Sequence, residues 1–324
     1  MNPKRLTLIV ILLLVLFTFP LYMSDYILHI SIITLMFAFA SQAWNIISGY
    51  SGQFSFGHAA FFGIGAYTST LLLVELGITP WIGMLFGGII AALIAFFIGF
   101  ISFRYNLRGA YFALATLAFA EILRVIVKNI EFFRKTMGIM IPLEIDPVAF
   151  QFESRTGFYY TILILTIIIT SIVYIISKSR LGFNLVAIRE NEDAAQSLGV
   201  KTFKNKMIAI TISGGLTAFA GTFYAQYLLF VKPETVFDSD VSVSILMPAI
   251  VGGIGTVLGP IIGSFIVTPL GELTSNLFSG LAGTNLIAYG IVVIIIIIYM
   301  PEGIVGRYND WQNKRNLNKV KNKN

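Results

Sequence analysis

Few residues in this 324-residue chain could carry chemistry: two histidines, sixteen carboxylates and no cysteine. Without cysteine there is no disulfide framework, no thiolate metal site and no cysteine nucleophile. His58 has no second histidine nearby with which to share a metal, so it is either a hydrogen-bonded structural group or part of a polar path. The chain contains no GxxxxGK[ST] phosphate loop, no HExxH helix, no GxSxG elbow and no paired carboxylates within an expected span. Glu121, with Arg124 three residues later, is the one candidate ionisable pair in the spans, and a proton-coupled transporter needs such groups near the midplane. The glycines of the run from Gly252 to Gly259 lack the spacing of a dinucleotide fingerprint. They suit close helix packing, and broken helices of this kind also line transporter paths. An enzyme is not expected, and neither is a cofactor or a metal.

The elements that position these residues lie in a membrane. Hydrophobic residues make up 56% of the chain and charged residues 12%, against roughly 45–50% and about 25% in soluble domains. Runs long enough to cross a hydrocarbon layer of about 30 Å are expected at Leu6 to Met23, Tyr26 to Ile47, Phe54 to Val74, Trp81 to Ser102, Gly109 to Val127, Phe158 to Ser177, Met207 to Phe230 and Leu286 to Met300. Leu6 to Met23 follows Lys4 and Arg5 as a signal peptide would, but it lacks a small-x-small cleavage site and reads as a retained helix. In Val243 to Leu281, Gly252, Gly253, Gly255, Gly259 and Pro260 interrupt the apolar run, and such breaks require other protein groups to satisfy the backbone.

Charge sets the count. Basic residues favour the cytoplasmic side. With Lys4 and Arg5 inside, Arg104, Arg108, Lys178, Arg180, Arg189, Lys201, Lys204, Lys206 and the basic tail after Arg307 all fall inside if the total is even. Val243 to Leu281 must then cross twice or dip in and return, giving an all-α polytopic membrane protein of about ten transmembrane or re-entrant helices. The net charge of +6 thus reports topology, and no nucleic acid is implied.

Two segments exceed packing needs. Between Ile47 and Tyr67 five glycines and His58 interrupt an apolar region, which is tolerated at membrane depth only where it is buried in protein or lines a wet cavity. In the inner loop from Ser179 to Lys206, Leu181, Leu185, Ile188, Ala195 and Leu198 recur at roughly helical spacing among Arg189, Glu190, Glu192 and Asp193. The loop is too long for a turn and too short to fold alone, so a partner outside the membrane is expected.

At these residues the chain resembles LivM-type permease subunits of branched-chain amino acid ABC importers. The resemblance rests on Gly49 to Tyr67, Leu107 to Ala118, Ser179-Arg180-Leu181-Gly182, Ala187-Ile188-Arg189-Glu190-Asn191-Glu192, Gly252 to Thr256 and Pro301-Glu302-Gly303. Asp193-Ala194-Ala195 followed by Gly199 resembles the loop that docks on the ATPase, with aspartate in place of its glutamate. In Lys135 to Met140 relatives carry a more glycine-rich turn, which bears on substrate identity.

The resemblance implies one membrane domain over 1–324: six helices to 178, a cytoplasmic coupling loop over 179–206, further helices to 306 and a basic cytoplasmic tail. It implies that Ala187, Arg189, Glu190, Asp193, Ala194, Ala195 and Gly199 couple to the ATPase. Asn45, Gln53, Ser55, His58, Tyr111 and Thr116 are the candidates for the translocation path. The implied partners are a LivH-type second permease, two cytoplasmic ATPases and an extracytoplasmic binding protein, assembled in the bacterial cytoplasmic membrane with both termini inside. The implied cargo is leucine, isoleucine or valine. The alternatives are an importer of the same class for urea or short amides, and an ion-coupled secondary transporter.

Overall fold

Apolar runs become helices in the computed structural model, which describes residues 15–277 and, beyond them, 287, 290, 291, 294, 298, 300 and 303–307. Most of the expected span Leu286 to Met300, much of Leu6 to Met23, and the basic tail after Arg307 lie outside the described residues. The long helices are α1 (Asp25–Trp44), α2 (His58–Leu76), α3 (Pro80–Arg104), α4 (Ala110–Asn129) and α5 (Arg155–Lys178). Two short helices follow, α6 (Arg180–Glu190) and α7 (Glu192–Ser197), then α8 (Thr202–Leu228), a single turn α9 (Pro233–Val236), α10 (Ser239–Gly252) and α11 (Gly259–Leu277). Among the described residues seven helical segments are long and apolar enough to cross a membrane, the last joining α9 to α10 as Pro233–Gly252.

Local sequence explains the boundaries. Pro80 opens α3 behind Thr79, whose side chain accepts a hydrogen bond from the Trp81 amide. Gly77 ends α2 in the left-handed conformation that favours glycine. The expected span from Phe54 begins instead at His58, because residues 52–57 are non-helical.

Small residues let α2, α3 and α8 pack backbone to backbone, as the pull between membrane helices comes from close contact rather than from water. A Cβ added at Gly65 would overlap the Ala218 carbonyl, and one at Gly221 would overlap the Phe62 carbonyl. Away from this seam α3 exposes Leu85, Phe86, Ile89, Leu93, Phe96 and Phe97, an apolar face suited to lipid.

The interrupted stretch does turn back on itself: α10 and α11 form an antiparallel hairpin so tight that a Cβ at Gly252 would meet the Gly259 carbonyl and one at Gly263 the Pro248 carbonyl. Among the described residues the fold is all-α apart from one two-residue antiparallel ladder, β1 (Ile139–Met140) with β2 (Phe230–Val231). That ladder ties the α4–α5 connection to the end of α8.

The loop expected as one helical repeat is two helices. The chain leaves helical geometry at Asn191, whose side chain accepts from the Ala194 amide and caps α7. A good cap overrides the apolar period here, because it satisfies an amide that a continuous helix would bond to its own backbone.

Candidate functional site

The α6–α7 segment sits at one end of the bundle, held by charge. Glu192 accepts from the Lys206 ammonium and lies 3.3 Å from Arg108 Nε, while Arg108 Nη1 donates to Asp193 at 2.9 Å. The Lys206 side chain is only 2% exposed and that of Glu192 9%, and the ammonium also sits 4.8 Å over the Phe103 ring. Thus α7 is pinned to the start of α8 and to the α3–α4 turn. The Asp193 carboxylate holds the Arg108 guanidinium above its ordinary pKa.

From this anchored segment Arg189 reaches into the bundle, and its Nη1 donates to the Gly49 carbonyl at 3.1 Å. Gly49 closes a π-helical turn, Asn45–Gly49, that continues α1; turns of this kind are frequent at functional sites. At the start of that turn the Asn45 amide holds the hairpin break by two bonds, donating to the Thr256 carbonyl at 2.9 Å and accepting from the Gly255 amide at 2.8 Å. Gln42 donates to the Val257 carbonyl at 2.5 Å. Gly255 has φ +74°, and a Cβ there would strike Arg189 and the Gly49 carbonyl, so only glycine lets the three segments meet. The π turn of α1, the break between α10 and α11, and the arginine at the end of α6 therefore form one junction.

A second polar cluster lies beside it. His58 is fully buried; its Nδ1 lies 3.0 Å from Ser55 Oγ and its Nε2 2.8 Å from Ser213 Oγ. Ser213 Oγ donates to the Ala43 carbonyl at 2.7 Å, so it must accept from His58 Nε2–H, which leaves Nδ1 to accept from Ser55. Both ring nitrogens are engaged, as in the structural reading of this histidine. Thr116 accepts from the Phe56 amide and fastens the 52–57 segment to α4. Gln53 is buried, and its Oε1 has no partner among the described residues. Tyr111 is exposed on α4.

Of the path candidates, then, Asn45 enters the junction, Ser55 and His58 share one network, Thr116 braces it and Tyr111 stands apart. Of the coupling candidates, Arg189 enters the junction, Asp193 binds Arg108, and Ala194 and Gly199 are exposed. Glu190 pairs with Arg189, Ala187 is half-buried, and Ala195 is buried against the core rather than available to a partner. Sequence reasoning missed Gln42 and the Lys206–Glu192 pair. An inward-pointing lysine was the available signal, but its partner lies fourteen residues away on another helix.

Membrane-length helices around a broken, glycine-lined hairpin, with a charged helical segment joined to that break through the Asn45–Gly49 turn, define a polytopic transport permease. The chain belongs to the family described as branched-chain amino acid transport system / permease component, which matches residues 26–300. It is 27% identical over 93% of its length to the high-affinity branched-chain amino acid transport system permease protein LivM of Escherichia coli (strain K12), covering 75% of that protein. LivM of Salmonella typhimurium gives the same identity and coverage. The probable branched-chain amino acid transport permease protein LivH of Methanocaldococcus jannaschii is 25% identical over 78% of this chain and 82% of its own length. No solved structure matches.

Proposed function

We propose that this chain is the permease subunit of an ABC importer that carries leucine, isoleucine or valine across the bacterial cytoplasmic membrane. The names of its relatives favour this cargo over urea or short amides. Energy comes from two cytoplasmic ATPases seated on α6–α7, a LivH-type second permease completes the path, and an extracytoplasmic binding protein delivers the substrate. Both termini and the α6–α7 segment lie on the cytoplasmic side, where basic residues collect.

The observation that carries the reading is the junction. Arg189 leaves the anchored charged segment and binds Gly49, and Asn45 in the same turn binds the hairpin break. A displacement of α6–α7 by the ATPases therefore reaches two broken helices directly, and broken helices at the midplane are where transporters build substrate sites. Asn45, Gln53, Ser55, His58 and Thr116 are the proposed path residues in the interior and Tyr111 the one on the exposed face of α4, and the path must bind its cargo weakly because tight binding would trap it.

The test is reconstitution in liposomes. The chain with its ATPases, second permease and loaded binding protein takes up leucine with ATP hydrolysis, and the chain alone does not. Comparable uptake by the chain alone, driven by an ion gradient, refutes the assignment in favour of a secondary transporter.

A further inference from the structure

On α4, Tyr111, Leu114, Ala118, Glu121, Val125 and Lys128 recur at three- and four-residue steps and share one exposed face. Of the seven candidate spans this helix is the least buried. Glu121 stands about 17 Å along the axis from Ala110, near the middle of a hydrocarbon layer about 30 Å thick. Its side chain is 52% exposed. A carboxylate at that depth is too costly to present to lipid, so this face looks onto water or onto another polar surface.

The charge is organised. Arg124 donates to both oxygens of Glu121, at 2.8 and 2.6 Å, and its Nη1 lies 3.5 Å from Asp238. Asp238 caps the first turn of α10, accepting from the Asp240 amide at 3.0 Å, so the guanidinium joins α4 to the start of the broken hairpin. One turn further along, Lys128 pairs with Glu234 at 3.1 Å, and Glu234 also feels Lys232 and acts on Arg124. The cluster of Glu121, Arg124 and Asp238 has two carboxylates for one guanidinium. A ligand that brings both an ammonium and a carboxylate exchanges into it without changing its net charge: the carboxylate takes the arginine fork, and the ammonium pairs with the acid this releases.

We propose that Glu121, Arg124 and Asp238 form a transient station for the charged ends of a zwitterionic α-amino acid crossing the membrane. The proposal rests on the transport function above and assigns its substrate contacts. Arg124 is the hub, and because it also touches the α10 cap, a substrate carboxylate that takes its fork loosens the link between α4 and the hairpin. Selectivity at the station is for the backbone of the amino acid, common to leucine, isoleucine and valine, rather than for the side chain.

The test uses the assembled importer in proteoliposomes with radiolabelled leucine on the binding protein and ATP in excess, reading leucine delivered per ATP hydrolysed. Loss of hydrogen bonds to charged groups lowers this ratio about tenfold in Arg124→Gln. The fall is smaller in Glu121→Gln, which leaves Asp238 for the ammonium, while ATP hydrolysis stimulated by binding protein stays near wild type and the second permease still co-purifies. Arg124→Lys recovers part of the ratio, since it keeps the charge without the fork. An unchanged ratio in both glutamine variants overturns the proposal. So does loss of the second permease from the complex with uptake and hydrolysis falling together, which marks the cluster as a subunit contact. A wild-type assembly that moves no leucine overturns the transport reading itself, and the station with it.

Discussion

Glu192→Gln and Lys206→Met remove opposite halves of the same buried ion pair, and the structure says they are not equivalent. Breaking a buried pair by deleting one partner costs about 3–5 kcal/mol when the other is left without compensation. In Lys206→Met the remaining Glu192 keeps Arg108, 3.3 Å away and open to solvent, so the stranded charge is small. In Glu192→Gln, Arg108 falls back on Asp193, but Lys206 keeps only the Phe103 face and a neutral amide. The glutamine variant therefore loses about 3 kcal/mol and the methionine variant about 1 kcal/mol. The double variant costs less than the two added together, because neither charge is then stranded.

The loss is local to α7, so the assay is amide hydrogen exchange of Ala195, Leu198 and Val200, whose amides donate to Asn191, Ala194 and Ala195 carbonyls. At about 1.4 kcal/mol per decade, exchange accelerates roughly a hundredfold in Glu192→Gln and less than tenfold in Lys206→Met. Equal effects of the two, or strict additivity in the double variant, would refute the reasoning.

Asn45→Leu removes both bonds to the hairpin break and leaves the half-buried Gly255 amide and Thr256 carbonyl without them, at about 0.5–1.5 kcal/mol for each bond; leucine uptake by the assembled importer falls sharply while the complex still purifies. On the surface of α7, Ala194→Trp and Leu198→Asp leave the chain folded and uncouple ATP hydrolysis from loaded binding protein, since Leu198 is 86% exposed; wild-type stimulation in both would remove ATPase docking from this face. Ala195→Trp instead unfolds α7, because Ala195 is buried, and its read-out is accelerated amide exchange across that helix. Because the chain has no cysteine, Ile145→Cys labels with an impermeant thiol reagent in intact cells and Ser197→Cys does so only after permeabilisation; the reverse pattern overturns the topology.

What sequence made legible was whatever depends on composition along one stretch of chain. Uncharged apolar runs located six spans to within a few residues at most ends, because a helix in hydrocarbon must satisfy its own backbone over a fixed length. The glycines at 252–259 announced a break, and the parity of the basic residues required the stretch to turn back, as α10 and α11 do. The π turn at Asn45–Gly49 was invisible to hydropathy, as was the non-helical run at 52–57, because both depend on partners far away in the chain. Asn191 followed by Glu192 and Asp193 is a helix start with acids in its first turn, yet the apolar period ran through it and hid the cap.

The candidate site was harder to read, because its key bonds are between side chains and distant backbone. Asn45 meets Gly255 and Thr256, and Arg189 meets Gly49, across more than a hundred residues of sequence. Such bonds also suit the proposed task. A packed apolar contact yields gradually as helices slide, but an amide or guanidinium bonded to a carbonyl holds within a few tenths of an ångström or lets go, since hydrogen bonds weaken steeply off geometry. In the proposed importer that gives the junction two settings: Arg189 on Gly49 with Asn45 on the break, or both released to water as the ATPases move α6–α7. The glycine at 255 sets how tightly this works. Gly255→Ala places a Cβ against both Arg189 and the Gly49 carbonyl at a left-handed φ, so it forces the released setting. ATP hydrolysis should then run without loaded binding protein, measured as a raised basal rate in the reconstituted assembly. A basal rate equal to wild type with full uptake would show that the junction is packing and nothing more.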